Sequence, residues 1–207
     1  MSFLWALPKY FVKSLKIILP FFPTGTHERV IRYGEVATAK TLAKMLSMTP
    51  STKCGSSEIA IFDIHTLQNQ FYFDDNLIPS LHTAAPLLKR ELQRLTLCNN
   101  ENVCIVYPDD GAFKRFSMYY KEYPSVICAK SRENEKRVVR VREGSCAGMH
   151  AVVIDDIVHS GGTLVESIKA CWHNGAAKVS CFVTHAVFEN VSDCACLRLT
   201  RCILSSK

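Results

Sequence analysis

Six stretches of strand length in this chain are apolar over most of their run: KIILPFF, EIAIFDIH, VCIVY, SVICA, AVVID and VSCFVTHAVF. A strand with one face in water alternates apolar and polar residues, whereas a continuous apolar run is buried on both faces. Patterns of helical period lie between many of these runs. EVATAKTLAKMLSM puts Val36, Ala39, Ala43 and Leu46 on one face, and LLKRELQRLTL groups Leu88, Leu92 and Leu95. TLVESIKACWHNG lines up Leu164, Val165, Ile168, Cys171 and Trp172, with Gly175 placed to cap the end. Strands buried on both faces that alternate with helices call for an α/β fold, with parallel sheets flanked by helices. A length of 207 residues allows one large domain or two small ones. The stretch DDNLIPSLHTAAP, residues 74–86, is the expected boundary, giving units of 1–80 and 81–207.

Open α/β sheets bind ligands beyond the carboxyl ends of their strands. After EIAIF come Asp63 and His65; after VCIVY comes PDDG, with Asp109 and Asp110; after SVICA come Lys130 and Arg132; after AVVI come Asp155 and Asp156. Four strand ends thus supply acids, an imidazole and cations, the inventory for magnesium and phosphate chemistry. Singly, each has a plain structural explanation. PDDG makes a good exposed turn, Lys130 and Arg132 read as solvated loop charges, and a lone histidine is usually structural.

AVVIDDIVHSGGTLVES is the most informative stretch. Ser160, Gly161, Gly162 and Thr163 form a turn into a helix, where backbone N–H groups and the helix dipole favour an anion such as a phosphate. The two acids before it would repel that phosphate, so they suit another part of the same ligand. Ribose hydroxyls, which donate hydrogen bonds, fit, as does a magnesium ion. The pattern predicts ribose 5-phosphate binding and is neither a Walker loop nor a dinucleotide fingerprint.

The charge balance, 25 Lys+Arg against 19 Asp+Glu, is mildly basic and spread along the chain. No run interleaves aromatic and basic residues, so no nucleic-acid partner is expected. Pro8, Pro20 and three lysines interrupt the apolar N-terminus MSFLWALPKYFVKSLKIILPFFP; neither a membrane span nor a signal peptide is expected there. That segment reads as a helix end followed by a buried strand. Ten cysteines without C-x-x-C spacing imply a reducing, cytoplasmic location and no disulfide framework. The tail CAC, with Cys202 and His185, is a weak soft-metal candidate.

VVIDDIVHSGGTL resembles the phosphoribosyl-pyrophosphate loop of the type I phosphoribosyltransferase fold. LPFFPTG, ATAKTLAKML, FDIHTLQNQFYF, PDDGAFKRF and GAAKVSCFVTHAVF follow in the order seen in ribose-phosphate diphosphokinases. FPTGTHERV, YFDDNLIPSL and KRVVRVREG look most like the plant-type class II enzymes. The resemblance implies tandem phosphoribosyltransferase-like domains, the first incomplete and on the ATP side. It implies ATP and ribose 5-phosphate as substrates, Mg2+ as cofactor and an oligomer of like or related subunits. Asp155 and Asp156 would hold the ribose hydroxyls and associated metal, and Ser160, Gly161, Gly162 and Thr163 the 5-phosphate. His65 and Asp109 would be metal ligands, with His65 also near the ATP phosphates. Lys130 and Arg132 would be catalytic, on a flexible loop.

The chain departs from that family in three places. His159 stands where an acid is common. Thr26, His27 and Glu28 replace an R-Q-D segment expected at ATP. The family extends beyond both ends of the match, and ENVSDCACLRLTRCILSSK resembles nothing in it. The 207 residues by themselves are therefore expected to show little synthetase activity. Two other readings compete: a non-catalytic regulatory paralogue that binds catalytic subunits, and a phosphoribosyltransferase.

Overall fold

A computed structural model of the chain describes residues 1–133, 136–188 and 201–204, with the backbone alone at 98–99, 132–133, 136–137 and 201–204. It divides into two compact units, Met1–Thr83 and Ala84–Lys207.

The first unit contains helices α1 (Ser2–Lys9) and α2 (Thr38–Ser47) and strands β1 (Lys16–Leu19), β2 (Ser57–Phe62) and β3 (Leu77–His82). The strands form a parallel sheet in the order β1-β2-β3. Ala39, Ala43 and Leu46 of α2 pack on Ile59, Ile61 and Leu77, the two alanines letting the helix approach the sheet closely. Val36 does not join this face. It precedes the helix and is 70% exposed. β1 is an edge strand with Ile18 outward, not the doubly buried strand its composition suggested. β3 falls within the stretch read as a boundary. Its Pro79 is accommodated because, among the described residues, β3 pairs on one side only.

The second unit contains α3 (Ala85–Asn99), β4 (Val103–Tyr107), α4 (Asp110–Phe116), β5 (Ser125–Glu133), β6 (Lys136–Glu143), β7 (His150–Val158), α5 (Gly162–His173), β8 (Lys178–Ala186) and β9 (Arg201–Leu204). Among the described residues these strands form one sheet, β6-β5-β4-β7-β8-β9. All its pairings are parallel except β5 with β6, a hairpin added at the edge. The charged sequence of β6, KRVVRVRE, suits an edge strand and masks its strand character. Alternate β7 residues serve two cores: Ala151 and Val153 pack with α5, and Val152 and Ile154 with α3 and α4. Leu164, Ile168 and Cys171 bury the inner stripe of α5 as expected, but Trp172 lies one position round the helix and is 45% exposed. Gly175 ends that segment at φ +82°, in the left-handed region that favours glycine.

Candidate functional site

β4 has β5 on one side and β7 on the other, and α4 and α5 lie on opposite faces of the sheet. Connections therefore diverge between β4 and β7, and such a switch point opens a crevice at the carboxyl ends of the two strands. Asp109 leaves β4 there, and Asp155 and Asp156 lie near the end of β7.

The turn 160–163 follows at once. Gly161 takes φ +76° as the residue before α5, a conformation that costs other residues roughly 1–2 kcal/mol. The residue before α5 is a glycine, which supplies no side-chain cap, and the helix's first-turn N–H groups and positive dipole end follow a few residues after the end of β7. Ser167 Oγ donates to Thr163 O at 2.8 Å and ties the first turn to the second.

The charges are paired with specific partners. Lys130 Nζ donates to Asp109 Oδ2 at 2.5 Å, joining two residues 21 positions apart. Asp109 also caps α4, its Oδ1 accepting from Ala112 N at 2.9 Å. Burial pushes the Asp109 carboxyl upward, but the Lys130 ammonium and the Ala112 N–H outweigh that and hold it below its usual range. Asp110 pairs with both terminal nitrogens of Arg142 on β6. Asp156 is buried and accepts from Arg115 Nη1 at 2.9 Å. Asp155 Oδ1 accepts from the N–H of Asp156 at 3.0 Å. Burial, then the neighbouring carboxylates of Asp156 and Asp109, push Asp155 up to about 7. A cation or a hydrogen-bond donor beside it would relieve the accumulated negative charge.

The remaining candidates lie in the first unit. His65 is exposed, two residues beyond Asp63, which is buried and left-handed at φ +40°. The backbone of the segment carrying Thr26, His27 and Glu28 is fixed from several directions. Asn69 Nδ2 donates to Gly25 O at 2.9 Å, Ala39 N to His27 O at 3.3 Å and Tyr72 Oη to Glu28 O at 2.9 Å. Thr26 Oγ1 lies 3.4 Å from His27 Nδ1. Lys130 and Arg132 lie within β5, paired to β6, and not on a loop beyond the strand as expected; the Arg132 side chain is outside the described residues, as are Cys194 and Cys196 and the side chain of Cys202 from the soft-metal candidate.

No family model matches the chain. It is 50% identical over 192 residues to "Ribose-phosphate pyrophosphokinase 3, mitochondrial" of Spinacia oleracea, covering 93% of this chain and 47% of that one. It is 50% identical over 191 residues to "Ribose-phosphate pyrophosphokinase 4" of Oryza sativa subsp. japonica, covering 92% and 58%. The chain is a homologue of the ribose-phosphate pyrophosphokinases. It spans about half the length of these relatives. The phosphoribosylpyrophosphate synthetase of Mycobacterium smegmatis superposes with a TM-score of 0.77 at 24% identity, covering 96% of this chain and 63% of that one, which establishes the fold.

Arg115, Arg142, Asn69 and Tyr72 hydrogen-bond to candidate residues or to the segments that carry them, and sequence reasoning did not single them out. Arg115 sits within PDDGAFKRF, but its partner lies 41 residues on, and no local pattern announces that pairing. Among the described residues no helix is long and apolar enough to cross a membrane.

Proposed function

We propose that the second unit binds ribose 5-phosphate as part of a ribose-phosphate diphosphokinase, which transfers the diphosphoryl group of ATP to the 1-hydroxyl of the sugar. The observation that carries this reading is the meeting, at one strand mouth, of paired acids with an uncapped helix start. Gly161, Gly162 and the Ser160 and Thr163 hydroxyls hold the 5-phosphate. Asp155 and Asp156 accept hydrogen bonds from the ribose hydroxyls. The anomeric oxygen attacks the β-phosphorus and AMP leaves. Charge spreads over the phosphoryl oxygens, so catalysis is mainly positioning and charge stabilisation. Lys130, held against Asp109 in the free site, supplies a cation for that charge, and Arg132 is assigned beside it by family resemblance.

Magnesium fits the donor set. Among the described residues no three His, Cys, Asp or Glu side chains gather to form a metal cage. Mg2+ commonly takes one or two carboxylates together with substrate phosphates and water. Asp109 and Asp155 offer such carboxylates, and His65 is the first unit's candidate. Bound there, the ion would neutralise phosphate charge. On the ATP side the reading uses His65 and the segment Thr26, His27 and Glu28. Like or related chains are the proposed partners. The proposed compartment is the reducing cytoplasm.

Calorimetric titration of ribose 5-phosphate into the chain with magnesium tests the reading. Saturable binding that is lost on combining Asp155→Asn with Asp156→Asn supports it. Absence of binding, or binding indifferent to both substitutions, overturns it. With ATP added, AMP release from ribose 5-phosphate separates this chemistry from ribosylation of a base.

A further inference from the structure

Arg115 touches no substrate in the mechanism proposed for this crevice, yet it forms a largely buried ion pair with Asp156, with the two side chains 23% and 8% exposed. The pairing answers a difficulty built into the chain. Consecutive strand residues point to opposite faces, so Asp155 follows the row facing α5 and Asp156 the row facing α4. The Asp155 carboxyl nevertheless turns back to the Asp156 N–H, so two adjacent acids lie close together at a partly desolvated strand end. Their repulsion favours any rotamer that separates them. Arg115 supplies the opposing charge on the Asp156 side.

The position of Arg115 is itself constrained. Ala112 and Phe116 bury the inner face of α4, and Asp109 caps its start. The Arg115 guanidinium lies 5.5 Å from the centre of the Phe116 ring and donates through Nη1 to Asp156 Oδ2. A planar guanidinium fixes the direction of a carboxylate in a way a freely rotating ammonium does not. One short helix thus links Asp109, at its start, to the orientation of Asp156.

We infer that Arg115 is a positioning residue: by holding Asp156 in one orientation at the mouth of β7, it gives the crevice its preference for a sugar phosphate with vicinal hydroxyls over one without them. The inference rests on the proposal that the crevice takes ribose 5-phosphate. An acid aimed at hydroxyls discriminates because the sugar that lacks them leaves it unpaired. Loss of aim removes that discrimination and leaves the phosphate contacts of residues 160–163 in place.

The test is calorimetry on the full chain with magnesium, using ribose 5-phosphate and 2,3-dideoxyribose 5-phosphate. The unaltered chain should prefer the first by about tenfold or more, the range of a hydrogen bond to a charged group. Arg115→Met should abolish most of that preference while changing affinity for the dideoxy sugar by less than about twofold. Arg115→Lys should recover part of it. Arg115→Met alone takes the guanidinium away from a buried carboxylate and can unfold the unit, so the cycle is repeated in the Asp156→Asn background, where that carboxylate is absent. There, removing Arg115 should change ribose 5-phosphate affinity by less than about twofold. Equal losses for both sugars, or a large loss in the Asp156→Asn background, would show an ordinary structural role and overturn the inference. Failure of the unaltered chain to bind ribose 5-phosphate would instead remove the site proposal, and the inference with it.

Discussion

Replacing Asp155 by Asn should strengthen the ligand-free fold while weakening the site. The side chain keeps its shape but can no longer ionise. In the fold its carboxyl is raised from an ordinary 3.8 to about 7, first by burial and then by Asp156 and Asp109. The folded state therefore holds the proton more tightly than the unfolded chain does. The stabilisation of the protonated form is complete below 3.8 and is lost as pH rises through 7. A difference of about 3 pH units, at 1.36 kcal/mol each, sets an upper bound of roughly 4 kcal/mol for the cost of the ionised group above neutrality. Local relaxation reduces this, and a gain of about 1–3 kcal/mol at pH 8 is expected. Urea unfolding with a chelator present, at pH 8 and pH 5, measures it. The gap between variant and parent at pH 5 should be roughly half that at pH 8, or less. Ribose 5-phosphate affinity of the same variant should fall by about tenfold or more. A variant no more stable than its parent at pH 8, or a gap that does not widen with pH, would refute the argument that Asp155 is a strained, desolvated acid.

Lys130→Ala, in an active form of the protein, should lower kcat far more than it changes KM for either substrate; a raised KM with kcat intact would reassign the lysine to ordinary binding. Gly161→Ala meets no near clash, since a Cβ there would lie 3.9 Å from Phe188, so its cost is the left-handed backbone. It should destabilise the fold by about 1 kcal/mol and weaken binding of both ribose 5-phosphate and inorganic phosphate, and unchanged phosphate affinity would separate the turn from the anion. His150 lies buried between Glu101 and Ser180, with Nε2 2.8 Å from the Ser180 hydroxyl. Burial is the main cause of its lowered pKa, so the fold prefers the neutral ring, and that stability is present above the unfolded value of 6.5 and lost as pH falls through the folded one. Urea midpoints in the Asp155→Asn background, which lacks the opposing titration, should fall from pH 7 to pH 5, and His150→Gln should flatten that slope; an unchanged slope would discount the histidine.

Local chemistry was enough to read much of this protein from its sequence. Apolar runs too continuous for a solvated sheet demand cover on both faces, which is why alternating helices and parallel strands were legible. The acids of IDDIV and the S-G-G-T turn were legible as a candidate site because a strand end and a helix start are neighbours in sequence as well as in space. Pro79 hid β3 and the alternating charges of β6 hid an antiparallel edge, since each is tolerated only where a strand has a free side, and sequence does not state which strands are edges. Exposure of Val36 and Trp172 was likewise decided by what packs alongside. The tertiary structure alone brought Lys130 to Asp109, 21 residues away, and Arg115 to Asp156, 41 residues away. Those pairings depend on sheet order: β4 lies between β5 and β7, so acids and cations from separate segments share one strand mouth, where burial and mutual repulsion set which of them stay charged.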